Sequence, residues 1–209
     1  MQRSLSASSK RWLSRQAKDS YVKKAKAARY RARSAYKLLE INNKFKLIQP
    51  GYKIIDLGCA PGGWLQVCRE LMPYGSGMIV GLDVNTTDSL EGVKIIQGDF
   101  MEEQVCVQLL DMINGECDLL LSDMRGSAIG HRKTDHIRSI LLCEAVCDFG
   151  CKYLKKGGSM VMKVVQGGEE KNIVNTLRPV FDAVRYFKPN ASRSDSAEIY
   201  VVAICFRGV

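Results

Sequence analysis

From residue 53 onward, the sequence alternates between short apolar runs and segments of helix length. Strands that alternate with helices form a parallel sheet covered by helices on both faces. The pattern therefore predicts a doubly wound α/β fold. The apolar runs predict strands at 53–57, 78–82, 93–96, 118–121, 160–165 and 199–206. The segments between them predict helices at 63–72, 102–113, 136–154 and 171–180, with one long loop at 124–135.

The first 46 residues differ from the rest of the chain in charge. They hold 14 Lys and Arg against two acidic residues, a net charge of +12, whereas the rest holds 17 basic and 20 acidic residues, a net charge of −3. Apolar residues at helical spacing predict two helices here, and basic helices on a near-neutral body are typical of polyanion binders. We predict a basic helical extension at 1–46 and a catalytic domain at 47–209. A solvated helix face and an organellar presequence are the alternatives.

Length and composition restrict the class of protein. The 209 residues, of which 46% are hydrophobic, suffice for one folded core. No apolar run approaches the roughly 18 residues of a membrane-spanning helix. Most of the eight cysteines lie within or beside apolar runs, which favours a reduced interior. Cys143, Cys147 and Cys151 repeat every four residues, so we predict core positions on a helix and no zinc site.

A glycine-rich loop at 58–63 follows the first predicted strand and precedes a helix. Glycines permit a tight turn, and a helix N-terminus offers free N–H groups to a polar ligand. The dinucleotide fingerprint requires G-x-G-x-x-G, but Ala60 replaces its middle glycine and Pro61 follows, which disfavours a nicotinamide oxidoreductase. The loop predicts a different nucleotide-like cofactor.

Two acidic residues follow the next two predicted strands. Asp83 lies 20 residues after Gly63, where this fold places the carboxylate that accepts hydrogen bonds from ribose hydroxyls. Asp99 either accepts a hydrogen bond from an adenine amino group or serves as a turn or helix-cap residue. Together they indicate a small cofactor that contains adenosine.

Short motifs occur along nearly the whole chain: SSKRWL at 8–13, RSAYKL at 33–38, DLGCAPGGW at 56–64, QGDF at 97–100, SDM at 122–124, VMKV at 161–164, SR at 192–193 and EIY at 198–200. In order and spacing they resemble the FtsJ/RrmJ family of ribose 2′-O-methyltransferases. The resemblance implies a Rossmann-like methyltransferase fold, with a mostly parallel seven-stranded sheet and an antiparallel last strand. It also implies S-adenosyl-L-methionine as the cofactor, bound by Gly62, Trp64, Asp83, Asp99 and Asp123.

The same resemblance implies a catalytic tetrad of Lys37, Asp123, Lys163 and Glu198. Lys163 interrupts an apolar strand, where an unpaired ammonium is costly to bury, so we predict that it is either paired or partly neutral. A ribose 2′-hydroxyl needs a base, and a lysine with a lowered pKa can act as one. We predict that Lys163 is the general base and that Lys37 and Glu198 position the ribose and Lys163. Asp123 is expected at the methionine end of the cofactor, and no metal is required.

Basic side chains predicted to contact RNA are Lys10, Arg11, Arg15, Lys23, Lys24, Arg31, Arg33, Arg125 and Arg132. Arg125 departs from the resemblance, because many relatives continue with Ala-Pro after the SDM motif. Three tyrosines of the basic segment, Tyr21, Tyr30 and Tyr36, either stack on unpaired bases or pack in the core.

The resemblance as a whole implies a monomeric enzyme of the bacterial cytoplasm. Its N-terminal motif is closer to the branch that acts on large-subunit ribosomal RNA than to the transfer-RNA branch. The expected target is the ribose of a uridine in a ribosomal particle, with neither DNA nor membrane as a partner. Transfer RNA or an mRNA cap as substrate, an organelle such as the mitochondrion as location, and a non-catalytic ribosome-assembly factor are the alternatives.

Overall fold

One seven-stranded sheet organises the computed structural model of the protein, which describes residues 19–126, 130–168 and 170–208. The strands are β1 (Lys53–Leu57), β2 (Met78–Asp83), β3 (Lys94–Gln97), β4 (Cys117–Ser122), β5 (Leu154–Val165), β6 (Phe181–Phe187) and β7 (Glu198–Phe206). The helices are α1 (Ser20–Ala27), α2 (Ala35–Phe45), α3 (Gly63–Leu71), α4 (Glu103–Ile113), α5 (Arg132–Tyr153) and α6 (Glu170–Leu177).

The strand order is β3-β2-β1-β4-β5-β7-β6. Strands β1 to β5 pair in parallel, and β7 runs antiparallel between β5 and β6. The order reverses between β1 and β4, which is where open α/β sheets bind ligands, beyond the carboxyl ends of the strands. The structure confirms the predicted α/β class and the mostly parallel sheet with an antiparallel last strand.

Two hydrophobic clusters cover the two faces of the sheet. On one face, α4 buries Val105, Leu109 and Ile113, which recur every four residues and form a single apolar stripe. On the other face, α2 and α3 pack against the central strands, and Leu38 and Trp64 belong to that cluster. Because the central strands are covered on both sides, they are continuous apolar runs rather than alternating ones.

The N-terminal helices are fixed to this body by side-chain contacts. Asp19 accepts a hydrogen bond from the Tyr21 backbone at 3.0 Å, and its carboxylate pairs with Arg33 at 3.2 Å and with Arg193 at 3.4 Å. The tyrosines of this segment pack on one another, with the Tyr36 ring 5.5 Å from that of Tyr21 and 5.7 Å from that of Tyr30. Their rings therefore take part in the packing of α1 against α2.

Several details differ from the sequence-based expectation. β5 begins at Leu154 rather than at residue 160, and α6 ends at Leu177 rather than at residue 180. β6 was not among the six strands read from apolar runs, because Asp182 and Arg185 interrupt its apolar residues and only one of its edges pairs with another strand. The predicted long loop at 124–135 is shorter, because α5 already begins at Arg132. The eight cysteines, all within the described part, are free thiols. Cys143 and Cys147 are buried as predicted, whereas Cys151 is only partly buried. None of the described helices has the length and apolar composition to cross a membrane.

Candidate active site

A cavity of about 470 Å³ opens at the carboxyl ends of β1, β2 and β4. Its lining combines glycine backbone, apolar side chains and three carboxylates. These residues include Gly58, Ala60, Leu82, Asp83, Asp99, Asp123, Met124, Arg125 and Leu142. A volume in the range of about 300–1,000 Å³ suits a small-molecule ligand.

The glycine loop contributes Gly58 and Ala60 to one wall of this cavity. At two positions of the loop the backbone conformation and the close neighbours leave no room for a Cβ. Gly58 has φ +76°, and a Cβ there would lie 2.9 Å from the backbone of Met124. Gly62 has φ +106° and is buried beneath Arg31, whose Nη1 would lie 2.6 Å from an added Cβ. Any other residue at these two positions would have a strained backbone, and its Cβ would collide with Met124 or with Arg31.

Asp83 and Asp99 both line the cavity, and both hold local backbone. The Asp83 carboxylate accepts hydrogen bonds from the Ala60 N–H at 2.9 Å and from the Asn85 N–H at 2.8 Å. The Asp99 carboxylate accepts one from the Met101 N–H at 2.9 Å, which is the turn role weighed for it above. Each carboxylate has further lone pairs, so these turns orient the two groups without using up their capacity to accept hydrogen bonds.

The predicted tetrad residues come together as two ion pairs at the rim of the cavity. Lys163 Nζ lies 3.1 Å from Asp123 Oδ1, and it also donates to the Asp123 backbone carbonyl. Lys37 Nζ lies 3.4 Å from Glu198 Oε2. Both lysines are buried, so each ammonium has the partner that its burial requires. Of the two states predicted for Lys163, the structure has the paired one.

Tyr200 is a member of this cluster that the sequence did not single out. Its ring is fully buried, and its hydroxyl donates to Asp123 Oδ1 at 2.7 Å. Burial, and after it the charge of Asp123, raises the pKa of Tyr200 well above its usual value. The hydroxyl therefore stays protonated and keeps donating. Tyr200 lies directly opposite Lys163 in the β5–β7 ladder. This pairing becomes visible only in the structure, because a local sequence pattern does not give the register of two strands.

Another carboxyl group, that of Asp56, lies within the sheet next to the glycine loop. It is fully buried, and among the described residues neither of its oxygens has a hydrogen-bond partner. Burial raises its pKa well above the usual range, and the carboxylates of Asp123 and Asp83 raise it further. This group favours the neutral form because a buried, unpaired negative charge would be costly.

Trp64 and Gly62, predicted to bind the cofactor, do not line the cavity. The Trp64 indole is 2% exposed, donates to the Ser34 carbonyl at 2.9 Å and lies 5.7 Å from the Tyr200 ring. The side chain is thus part of the core between α2, α3 and β7. Gly62 is the N-cap residue of α3 and Trp64 lies in its first turn, so a contact with the cofactor through their backbone stays a prediction.

The structure separates the predicted RNA contacts into three groups. Arg31 donates to the carbonyls of Asp88 and Ser89 at 2.7 Å each, and Arg33 donates to the Ala191 carbonyl at 2.6 Å. Both guanidinium groups thus hold the protein's own loops while remaining partly exposed, and their contact with RNA stays a prediction. Arg125 is 67% exposed and lies 4.0 Å from Glu198 Oε1.

The remaining predicted contacts are exposed or lie outside the described residues. Lys23 and Lys24 are exposed on α1. The described chain begins at residue 19, so Lys10, Arg11 and Arg15 lie before it, and the side chain of Arg132 also lies outside the described part.

The sheet order, with an antiparallel β7 between β5 and β6, and a glycine loop at a cavity rimmed by lysine–carboxylate pairs define a Rossmann-like methyltransferase. A family model described as FtsJ-like methyltransferase matches residues 30–206, which is most of the chain. The chain belongs to the FtsJ-like methyltransferase family. This confirms the family, the enzyme class and a methyl donor as the cofactor.

Individual relatives agree with the family. The chain is 45% identical over 203 residues to the ribosomal RNA large subunit methyltransferase E of Rhizorhabdus wittichii, covering 97% of this chain and 88% of the relative. It is 46% identical over 202 residues to the protein of the same name from Zymomonas mobilis, covering 97% and 90%. A crystal structure of a ribosomal RNA methyltransferase from Plasmodium falciparum aligns with a TM-score of 0.78 at 31% identity, covering 86% of this chain and all of that one.

Proposed function

We propose that this protein transfers a methyl group from S-adenosyl-L-methionine to a ribose 2′-hydroxyl, that of a uridine, in large-subunit ribosomal RNA. The proposal rests on Asp123, because this one residue both lines the cofactor cavity and pairs with Lys163 at 3.1 Å. A group bound in the cavity and a group that reaches Lys163 would therefore meet at one residue. The relatives named as large-subunit methyltransferases supply the substrate class.

The cavity fits S-adenosyl-L-methionine in size and in chemistry. When bound, this cofactor supplies an electrophilic methyl group. We expect Asp83 to accept hydrogen bonds from its ribose hydroxyls, Asp99 from its adenine amino group, and Asp123 to interact with its methionine end. Leu82 and Leu142 offer apolar surface for the remainder. Gly62 and Trp64 stay in the proposal through their backbone alone, at the N-terminus of α3.

Lys163 is the group we propose to take the proton of the 2′-hydroxyl. In its neutral form the amine would accept that proton as the hydroxyl oxygen bonds to the methyl carbon and the bond from that carbon to the cofactor's sulfur breaks. The amine would then be the ammonium that Asp123 stabilises. Its position is fixed by the Asp123 side chain and backbone carbonyl, so it has little freedom to lose on reaction. Lys37 and Glu198, paired with each other, would position the ribose beside it.

Exposed basic residues would bind the RNA backbone. Arg125 projects from the cavity rim, and Lys23 and Lys24 lie on the same N-terminal segment as Lys37. The other predicted phosphate contacts are Lys10, Arg11, Arg15 and Arg132. Such contacts give affinity that is largely independent of base sequence and sensitive to salt. We propose that the target is a ribosomal particle and that the protein acts as a monomer. We also propose that it works in the bacterial cytoplasm, since the relatives described above come from bacteria.

A labelling experiment distinguishes the substrates. Methyl-labelled S-adenosyl-L-methionine is incubated with the protein and, separately, isolated large subunits, free ribosomal RNA, transfer RNA and a capped mRNA. The methylated nucleotide is then mapped. We expect label on a ribose in the large subunit. Label only on transfer RNA or the cap would keep the chemistry and contradict the substrate, and cofactor binding without label on any RNA would favour an assembly factor.

A further inference from the structure

A second cavity, of about 410 Å³, opens at the same end of the sheet as the tetrad. It lies beyond β5 and β7, away from the cofactor cavity, between the ends of those strands and the start of α6. Its lining includes Gln166, Lys171, Tyr186, Phe187, Lys188 and Ile199. None of these residues belongs to the proposed catalytic or cofactor-binding set.

The strand register places this second cavity directly beside the tetrad. Val165 pairs with Glu198 across the β5–β7 ladder, and the Gln166 N–H donates to the Ala197 carbonyl at 2.9 Å. Gln166 follows Lys163 by three residues, a distance of about 10 Å in an extended strand. That separation suits a nucleotide near the one whose ribose reaches Lys163.

The aromatic side chains of the cavity are held in position by contacts with neighbouring residues. The Tyr186 ring is 44% exposed, and its hydroxyl donates to the Glu170 carbonyl at 3.2 Å. The Phe187 ring lies 5.6 Å from that of Phe45 in an edge-on arrangement. A fixed, exposed ring can stack on a base of any sequence at little cost in conformational entropy.

The charged groups around the cavity favour an anionic ligand. Lys171 and Lys188 line it, and Lys44 Nζ lies 4.7 Å from the centre of the Phe187 ring. Glu170 also lines the cavity, but its carboxylate is engaged by the N–H groups of Gly167 and Gly168, so the two lysines are the charged side chains left for a ligand. A platform of exposed aromatic surface bordered by lysines is the arrangement that binds single-stranded nucleic acid.

We propose that this second cavity binds an unpaired base of the substrate RNA, close in sequence to the target nucleotide. Tyr186 stacks on the base, Lys171 and Lys188 contact its phosphates, and Gln166 is the polar side chain nearest the tetrad. The inference rests on the proposed function and names a second contact through which the RNA is held in register at Lys163.

The test compares Tyr186→Ala with two variants and a matched control in steady-state methylation of large subunits. Loss of stacking raises KM for the subunit about 5- to 100-fold with kcat little changed, and Tyr186→Phe restores KM to within about twofold. Lys171→Glu, an exposed change that leaves the core untouched, raises KM about 3- to 10-fold. The control is Tyr74→Ala, which removes an exposed tyrosine at the opposite end of the sheet and leaves KM unchanged.

Each other outcome has a distinct meaning. An unchanged KM for Tyr186→Ala, or a loss of kcat alone, overturns the inference while the wild-type protein still methylates the subunit and upholds the proposed function. Absence of methylation by the wild-type protein overturns the proposed function and this inference together. Equal thermal stability and cofactor affinity of the variants ensure that a rise in KM reports on RNA binding.

Discussion

Asp123 is the residue at which the cofactor cavity and the catalytic pairs meet. Its carboxylate lines the cavity, pairs with Lys163 at 3.1 Å and accepts the Tyr200 hydroxyl at 2.7 Å on the same oxygen. Tyr200 is buried in the core, so its hydroxyl fixes the Asp123 carboxylate to the core, and Lys163 contacts the same carboxylate oxygen. The position of the proposed base therefore depends on a residue that does not itself contact the cavity.

Tyr200→Phe removes only the hydroxyl and is expected to lower the free energy of unfolding by about 1–3 kcal/mol, because the lost hydrogen bond is to a charged acceptor. Chemical denaturation measures the change. Tyr186→Phe serves as the control, since its half-exposed hydroxyl bonds a neutral carbonyl and its removal should cost less than about 1 kcal/mol. Equal effects of the two substitutions would contradict the anchoring role of Tyr200.

Asp56 predicts a pH dependence of stability. Its folded pKa is raised above the unfolded value of about 3.9, so its contribution to stability is fully present below that pH and is lost as the pH rises toward the folded pKa. Asp56→Asn removes this titration. The thermal midpoint of the wild-type protein should therefore fall relative to that of Asp56→Asn as the pH rises above about 4. Parallel curves for the two proteins would mean that Asp56 is not held neutral.

The sequence predicted four residues that the structure brings together, but it missed the tyrosine that supports them. The motif resemblance selected Lys37, Asp123, Lys163 and Glu198, and the structure brings them together as two ion pairs. Tyr200 was missed because its role depends on which residue of β5 it faces, and strand register is not encoded in a local pattern. The only signal in the sequence was spacing: Tyr200 follows Glu198 by two residues, so the two side chains lie on one face of β7.

At the scale of elements, the segment between α1 and α2 is tied to the glycine loop and to the loop after β2, two of the loops that contribute residues to the cofactor cavity. Arg31 covers Gly62 and donates to the carbonyls of Asp88 and Ser89. The N-terminal segment therefore has two roles near the cavity: Lys37 belongs to the tetrad, and Arg31 fixes the glycine loop and the loop after β2. Its predicted separation from the catalytic domain stays a prediction, whereas the packing of α2 on the sheet is a feature of the fold.

Arg31→Ala is expected to weaken S-adenosyl-L-methionine binding about 3- to 30-fold, because two charge-assisted hydrogen bonds that fix the loop are lost on a partly exposed surface. Isothermal titration calorimetry measures the dissociation constant. Lys23→Ala, an exposed basic residue of α1, is the matched control and should leave cofactor affinity unchanged while weakening RNA binding. Unchanged cofactor affinity together with weaker RNA binding in Arg31→Ala would contradict the role in cofactor binding and favour an RNA contact.

Element prediction succeeded where an apolar run or stripe marks the buried face and failed for β6. The central strands and α4 follow apolar runs or stripes, so their positions could be read from the sequence. β6 could not be, because as an edge strand it exposes Asp182 and Arg185 and has no continuous apolar run. The start of α5 was placed too late, since the first turn of that helix carries few apolar residues to mark it.

At the scale of the whole molecule, the distribution of charge predicts how the protein meets its substrate. Residues 1–18 contain five basic residues and no acidic one. Their deletion should reduce the slope of log affinity against log salt by up to about four, because each phosphate contact releases close to one counterion. Filter binding of large-subunit ribosomal RNA at several salt concentrations measures it. Unchanged cofactor affinity is the control, and an unchanged slope would show that this segment does not contact RNA.

The central claim is that Lys163, held by Asp123 at the edge of the cofactor cavity, takes the proton of a ribose hydroxyl. Single-turnover methylation of large subunits tests it most directly, with wild type, Lys163→Ala and Lys163→Arg. Arginine keeps the charge and can pair with Asp123, but it cannot act as a base. We predict that both variants bind S-adenosyl-L-methionine and lose about 10²- to 10⁴-fold in rate. Near-normal methylation by Lys163→Arg would contradict the claim and leave Lys163 with an electrostatic role alone.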